Sequence, residues 1–289
     1  MDRPPRLTDR TALAAHRARA CRGGGPELFL HREALSELQE RLSEVNRSFT
    51  KPAIVTGFPA FWAEAFPDAT VVADTDLLDL EPGAHDLVIH AMALHWADDP
   101  VGQLVQARRA LVEDGLLLAV SFAGDTLREL RISFAEAESR LRGGLSPRVA
   151  PMGDLRDLGG LLQRAGFALP VADLSPRQVD YATPLHLMRE LRAMGETNAL
   201  DQRDRRPLRR DVLAATLDLY ATEFPGDNGR VRATFQFAFL TGWAPSENQP
   251  QPMRPGSASH RLADALGTVE FDRDMNPMTD SAAADKGDD

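Results

Sequence analysis

Residues 86–124, DLVIHAMALHWADDPVGQLVQARRALVEDGLLLAVSFAG, constrain the fold more than any other stretch of the chain. Asp86 to Ala91 is apolar at its centre, with Val88 and Ile89 adjacent, as expected of a strand covered on both faces of a parallel sheet. Asp98 or Asp99 can cap a helix, because a carboxylate accepts the free N–H groups of the first turn and Pro100 brings a preset φ to the first helical position. Leu104, Val105, Ala107, Ala110 and Leu111 give that helix one apolar side, and Gly115 is expected to end it. Leu116 to Phe122 then reads as a second buried strand. Two parallel strands joined by a helix make a right-handed crossover, the unit of an open α/β sheet.

The chain has 289 residues and is 43% hydrophobic, enough for a substantial core. Its net charge of −10 argues against general affinity for nucleic acid, which rests on a cationic surface and released counterions. No apolar run approaches the length that crosses a bilayer, and the N-terminus has no apolar signal segment, so the expectation is a soluble cytoplasmic protein without a transmembrane segment. Cys21, the single cysteine, can form neither an internal disulfide nor a thiolate zinc cluster.

Along the chain, residues 1–26 carry Arg3, Arg6, Arg10, Arg17, Arg19 and Arg22 and read as a flexible basic segment, or a docking helix. Leucines at helical spacing from Glu27 to Val45 predict a helix over the sheet, and PAIVT at 52–56 and ATVVA at 69–73 predict short strands. After the central unit come a helix capped by Asp125 or Thr126, the loop GGLSPRVAP, and a helix from Asp154 to Ala165 closed by Gly166. A strand pair follows near 171–174 and 178–181. Helices at 184–194 and 210–224 precede a last strand at 231–243. Residues 27–245 thus form one domain with a helical insertion at about 183–225, and the Pro/Asp-rich tail 246–289 is expected to be largely disordered.

Several motifs tie this pattern to a family: DLVIHAMALHWADD at 86–99, GDTLRELR at 124–131 and GGLSPRVAPM at 143–152 in the first half. DLGGLLQRAGF at 157–167, LMRELRAMGETN at 187–198, ATFQFAFLTGW at 233–243 and RPGSA at 254–258 follow. The chain resembles a class I S-adenosylmethionine-dependent methyltransferase, and more narrowly the complex I assembly factor 5 family of arginine-hydroxylase, methyltransferase-like proteins. That resemblance implies an α/β, Rossmann-like, mostly parallel sheet with a helical insertion before the last strand. It also implies a protein that methylates or hydroxylates a subunit of respiratory complex I during assembly. The alternative is a non-catalytic assembly factor that has lost its cofactor.

The departure from the family lies at the cofactor loop. A glycine-rich turn lets backbone approach a bound nucleoside, but AIVTGFPAFW offers Gly57 alone. The interval to VVADTDLL is much shorter than a full strand–helix–strand–helix–strand succession needs, so the ribose-binding strand end is expected to be missing or merged, with Asp74 and Asp76 in the loop that faces adenine. The cofactor-site candidates are Gly57, Asp74, Asp76, His95 and Trp96, the last two at the carboxyl edge where open sheets bind ligands. Packing of the following helix against the sheet is the equally open alternative for His95 and Trp96. Glu196, Asn198, Gln249 and Ser257 match polar family positions and are candidates for gripping a protein substrate or partner. No catalytic residue stands out, and methyl transfer from a sulfonium needs alignment more than a base. His85, His90 and His95, spaced by five, put neighbours on opposite strand faces, and no metal-ligand grouping appears.

Overall fold

The computed structural model describes residues 6–22, 24–250 and 268–269. Contacts divide the chain into two units, Met1–Glu247 and Asn248–Asp289, and the helices and strands of the described residues all lie in the first. Its strands are β1 (Pro52–Thr56), β2 (Thr70–Ala73), β3 (His85–Ala91), β4 (Leu111–Phe122), β5 (Ala168–Tyr181) and β6 (Val231–Trp243). They form one sheet in the order β2-β1-β3-β4-β6-β5. The first four strands are parallel, and β6 inserts antiparallel between β4 and β5. The mostly parallel α/β architecture is as the sequence predicts, including the helical insertion, which here comprises α7 (Pro184–Ala193) and α8 (Arg210–Glu223).

Alternation along the strands decides which helices cover which face. Ile54, Leu87, Ile89, Leu116, Leu118 and Val120 join the larger core with α2 (Phe29–Glu44), α3 (Pro59–Ala65), α5 (Arg128–Arg142), α7 and α8. Ala53, Val88, Leu117 and Ala119 join the smaller core on the other face with α4 (Pro100–Ala110) and α6 (Leu155–Ala165). The last strand adds Phe235, Phe237 and Phe239, each no more than 2% exposed. Burying such a ring stabilises by about 1.5–3 kcal/mol.

Local chemistry explains the element ends. Asp99 caps α4, its carboxylate accepting from Gly102 N at 2.8 Å, with Pro100 in the first turn. Asp154 caps α6 in the same way, and Gly166 closes that helix at φ +81°.

Within the basic segment 1–26, Arg10–Ala20 forms α1, capped by Asp9 and docked on the rest of the unit, the docking helix being one of the two readings the sequence left open. Three expectations are corrected. The helix expected to end at Gly115 ends at Ala110, because Leu111 is already extended and Asp114 turns the chain at φ +59°. The strand pair near 171–181 is one strand, β5, paired with β6 from Ala168 to Tyr181. Pro176 does not divide it because β5 lies at the sheet edge, where a missing N–H is tolerated. Finally, α5 is not capped by Asp125 or Thr126 but follows Leu127 in a left-handed conformation. Thr126 Oγ1 instead donates to Ala123 O at 2.8 Å and accepts from Gln236 N at 2.9 Å, tying the loop to β6.

Candidate functional site

The carboxyl ends of β1, β2 and β3 meet where the strand order turns back on itself, the crevice in which open α/β sheets hold ligands. The edge strand β2 pairs directly with β1, from Ala53 opposite Thr70 to Thr56 opposite Ala73. Asp74 therefore follows the strand next to Gly57, with no intervening strand. In dinucleotide-binding folds an acid about 20 residues beyond the glycine turn holds the ribose hydroxyls, and Asp74 has the corresponding place in this chain.

That position is already engaged. The Arg17 guanidinium of α1 grips Asp74 with two hydrogen bonds, Nη1 to Oδ1 at 2.7 Å and Nη2 to Oδ2 at 3.0 Å. Both side chains are largely buried, at 12% and 7% exposure. Burial alone would raise the Asp74 pKa, but the hydrogen bonds and charge of Arg17, with the charge of Arg10, hold it below the usual carboxylate value. Arg10 lies 3.6 Å from Asp74 and 3.5 Å from Asp76, whose side chain is otherwise open to solvent. A Cβ on Gly57 would fall 2.2 Å from Arg17 Cζ, so the glycine makes room for the arginine. Phe58 lies beneath the same guanidinium at 5.9 Å.

On the other side of the crevice, the short 3₁₀ turn Leu94–Trp96 after β3 presents His95 and Trp96. Trp96 Nε1 donates to Glu196 Oε2 at 2.8 Å, and His95 Nε2 lies 3.2 Å from the same oxygen. His95 Nδ1 is 3.1 Å from Ser121 Oγ at the end of β4. Glu196 is thus brought together with His95 and Trp96. Its side chain is only 8% exposed, and Oε1 has no hydrogen-bond partner among the described residues. Burial pushes the Glu196 pKa up, but the contacts with His95 and Trp96 and the charge of Arg17 more than reverse this. Glu196 is held ionised.

Glu196, Trp96 and Asn198 also border an apolar cavity of about 240 Å³, walled by Phe122, Phe134 and Met188, with Arg148 at its edge. Asn198 Nδ2 donates to Pro147 O at 2.6 Å, and its Oδ1 accepts from Leu200 N. Gln249 is half-buried in the second unit, and Ser257 lies outside the described residues. No group of three or more His, Cys, Asp or Glu side chains among the described residues is arranged to hold a metal. His90 is fully buried on β3 with Nε2 against Gln103 Oε1 at 2.8 Å, and burial lowers its pKa.

Sequence reasoning gave Arg17 no role, yet it is the residue that most alters the site. The signal was present, since Arg10, Leu13 and Arg17 fall on one helical face. A charged face around a single leucine reads as solvated unless a buried carboxylate is known to meet it.

No family model matches the chain. The zebrafish protein "Arginine-hydroxylase NDUFAF5, mitochondrial" is 35% identical over 209 residues, covering 72% of this chain and 65% of its own length. This chain is a homologue of the NDUFAF5 arginine-hydroxylases. A malonyl-[acyl-carrier protein] O-methyltransferase of Laribacter hongkongensis is 32% identical over 203 residues, covering 70% of this chain and 63% of that protein. The chain therefore spans less than two thirds of these relatives. Among solved structures, the YcgJ protein of Bacillus subtilis aligns at 14% identity with a TM-score of 0.47, over 75% of this chain and all of that one. The zebrafish, human and Dictyostelium relatives are named mitochondrial, which overturns the expectation of a plainly cytoplasmic protein. No helix among the described residues is long and apolar enough to cross a membrane.

The residue types at Gly57 and Asp74 suit S-adenosylmethionine. Their arrangement does not, because Arg17 fills the approach to Gly57 and occupies both oxygens of Asp74.

Proposed function

We propose that this chain is a methyltransferase-like protein that acts on a protein partner, a subunit of respiratory complex I, during assembly of that complex. The observation that carries this reading is the buried Glu196 carboxylate, fixed by Trp96 and His95 at the mouth of an apolar cavity on the carboxyl edge of the sheet. In a parallel α/β sheet that edge is where substrates are held. The similarity to the NDUFAF5 arginine-hydroxylases supports the choice of partner. We assign the activity to residues 27–245, with the helical insertion at about 183–225 supplying Met188 to the cavity wall, and we place Glu196 and Asn198 against the substrate.

A second reading, a non-catalytic assembly factor, is favoured by the Arg17–Asp74 pair lying where a cofactor's ribose would be held. Deletion of the gene, followed by assay of membrane NADH:ubiquinone oxidoreductase activity and mass spectrometry of the complex I subunits, tests both. Lost activity together with loss of a methyl or hydroxyl mass from one subunit supports the enzyme. Lost activity with every subunit mass unchanged supports the scaffold. Full activity in the deletion strain refutes the link to complex I.

A further inference from the structure

We infer that α1 is an internal plug, in which Arg17 competes with a nucleoside ligand for Asp74 and for the space above Gly57, so that the crevice opens only when α1 is displaced. The competition is direct. A vicinal ribose diol would donate to the same two carboxylate oxygens that Arg17 engages at 2.7 and 3.0 Å. Backbone approach at Gly57 is blocked as well, because the guanidinium carbon lies where even a methyl group would not fit. A second close approach backs this up: a Cβ on Gly195, at φ +81°, would lie 3.2 Å from Arg17 Cα. Two glycines on different segments thus clear space for one helical residue.

The way α1 is held suits a part that can leave. Only Leu13 and Ala20 of the helix are buried, Leu13 against Trp96 and Ala199. The remaining attachments are polar. His16 Nδ1 lies 3.0 Å from Thr197 O, Asp9 N donates to Ala199 O at 2.7 Å, and Asp9 pairs with Arg203 at 3.0 Å. Such partly exposed polar contacts exchange with water at modest net cost, unlike a large buried apolar face, and the buried Arg17–Asp74 pair, the costlier attachment, is the one a ligand would replace. The helix continues into an exposed stretch in which Gly24 and Gly25 have open space around them, Gly25 at φ +93°, so a hinge is available at its C-terminal end. Displacement would bare Asp74, Gly57 and Pro59 along a cavity of about 450 Å³ that α1 now walls through Arg10, Leu13, Ala14 and Arg17.

The choice of S-adenosylmethionine as probe rests on the methyltransferase-like reading. The plug itself rests on the geometry. The test is calorimetric titration of the full chain with S-adenosylmethionine and, separately, S-adenosylhomocysteine, for wild type, Arg17→Ala and Arg17→Gln. The expected result is at least tenfold tighter binding in both variants than in wild type, abolished by adding Asp74→Ala. Equal affinity in wild type and variants overturns the inference, as does absence of binding in all of them. Should the Arg17 variants not fold, hydrogen exchange on the wild type at saturating probe decides: faster exchange of the α1 amides supports the plug. Unchanged α1 protection, whether the probe binds or not, overturns it. Either failure leaves the complex I reading standing, because the deletion phenotype does not depend on a bound nucleoside.

Discussion

Substitution of Glu138 by Gln is expected to destabilise the protein by about 3 kcal/mol and to loosen one wall of the apolar cavity. The Glu138 side chain is fully buried in α5 and binds Arg142 Nη1 at 3.0 Å, Arg148 Nε at 2.8 Å and Ser146 N at 2.6 Å. Burial raises its pKa, but the Arg148 and Arg142 contacts and the Ser146 N–H outweigh that, so the carboxyl stays ionised. The amide keeps the shape and removes the charge, turning one acceptor into a donor that faces a guanidinium. Breaking a buried pair by removing one partner costs about 3–5 kcal/mol. The lower end applies, because Asp204 still lies 3.5 Å from Arg148 and 3.4 Å from Arg142. For a unit of this size about 3 kcal/mol corresponds to a fall in Tm of roughly 6–12 °C. The loop held by these contacts contributes Val149, Ala150 and Met152 to the cavity, so its amides should also lose hydrogen-exchange protection. The assay is thermal unfolding by circular dichroism, repeated for Arg148→Ala and the double variant. A Tm within 2 °C of wild type, or additive effects of the two substitutions, would refute the argument that this network is one buried ion cluster.

Three further outcomes follow from the same physics. Phe237→Ala should cost about 3–5 kcal/mol in urea unfolding, because the ring is fully buried and stacks on Phe122 at 5.8 Å. Glu196→Gln should cost about 1.5–3 kcal/mol, the worth of hydrogen bonds to a charged group, and a neutral result would show that Trp96 and His95 find other partners. Asp74 has a lowered folded pKa, so its contribution is complete above the unfolded value of about 3.8 and is lost as pH falls through the folded value. Acid unfolding of Asp74→Asn should accordingly show a shallower dependence on pH below about 4 than wild type, and an identical slope would contradict the pairing with Arg17.

Much of the fold was legible because periodicity reports burial. The run around Val88 and Ile89 and the leucines of 116–118 face helices on both sides, so they could be read as strands without any tertiary knowledge. The last strand was legible at both ends, Val231 and Trp243. What escaped was set by long-range partners. Pro176 reads as a strand breaker until the strand is known to be an edge, and Leu127 gives no local sign of its φ of +54°. The candidate site divides the same way. His95 and Trp96 were placed by their position after a central strand, whereas their union with Glu196 spans about a hundred residues of sequence and depends on how the insertion folds back. Arg17 and Asp74 are separated by 57 residues, and the helical face that Arg17 shares with Arg10 and Leu13 does not by itself name the carboxylate it meets.

The antiparallel insertion of β6 has a consequence for biosynthesis. Phe122 leaves the ribosome long before Val231, and until β6 arrives β4 has an unpaired edge and β5 has no neighbour at all. At roughly 5–20 residues per second that interval is on the order of ten seconds. For that time a strand end apolar at every position but Ser121, Leu116 to Phe122, is open to any other chain with a free edge. A polypeptide stopped before residue 231 cannot close its sheet, so this fold is completed only after nearly all of its structured part has been synthesised.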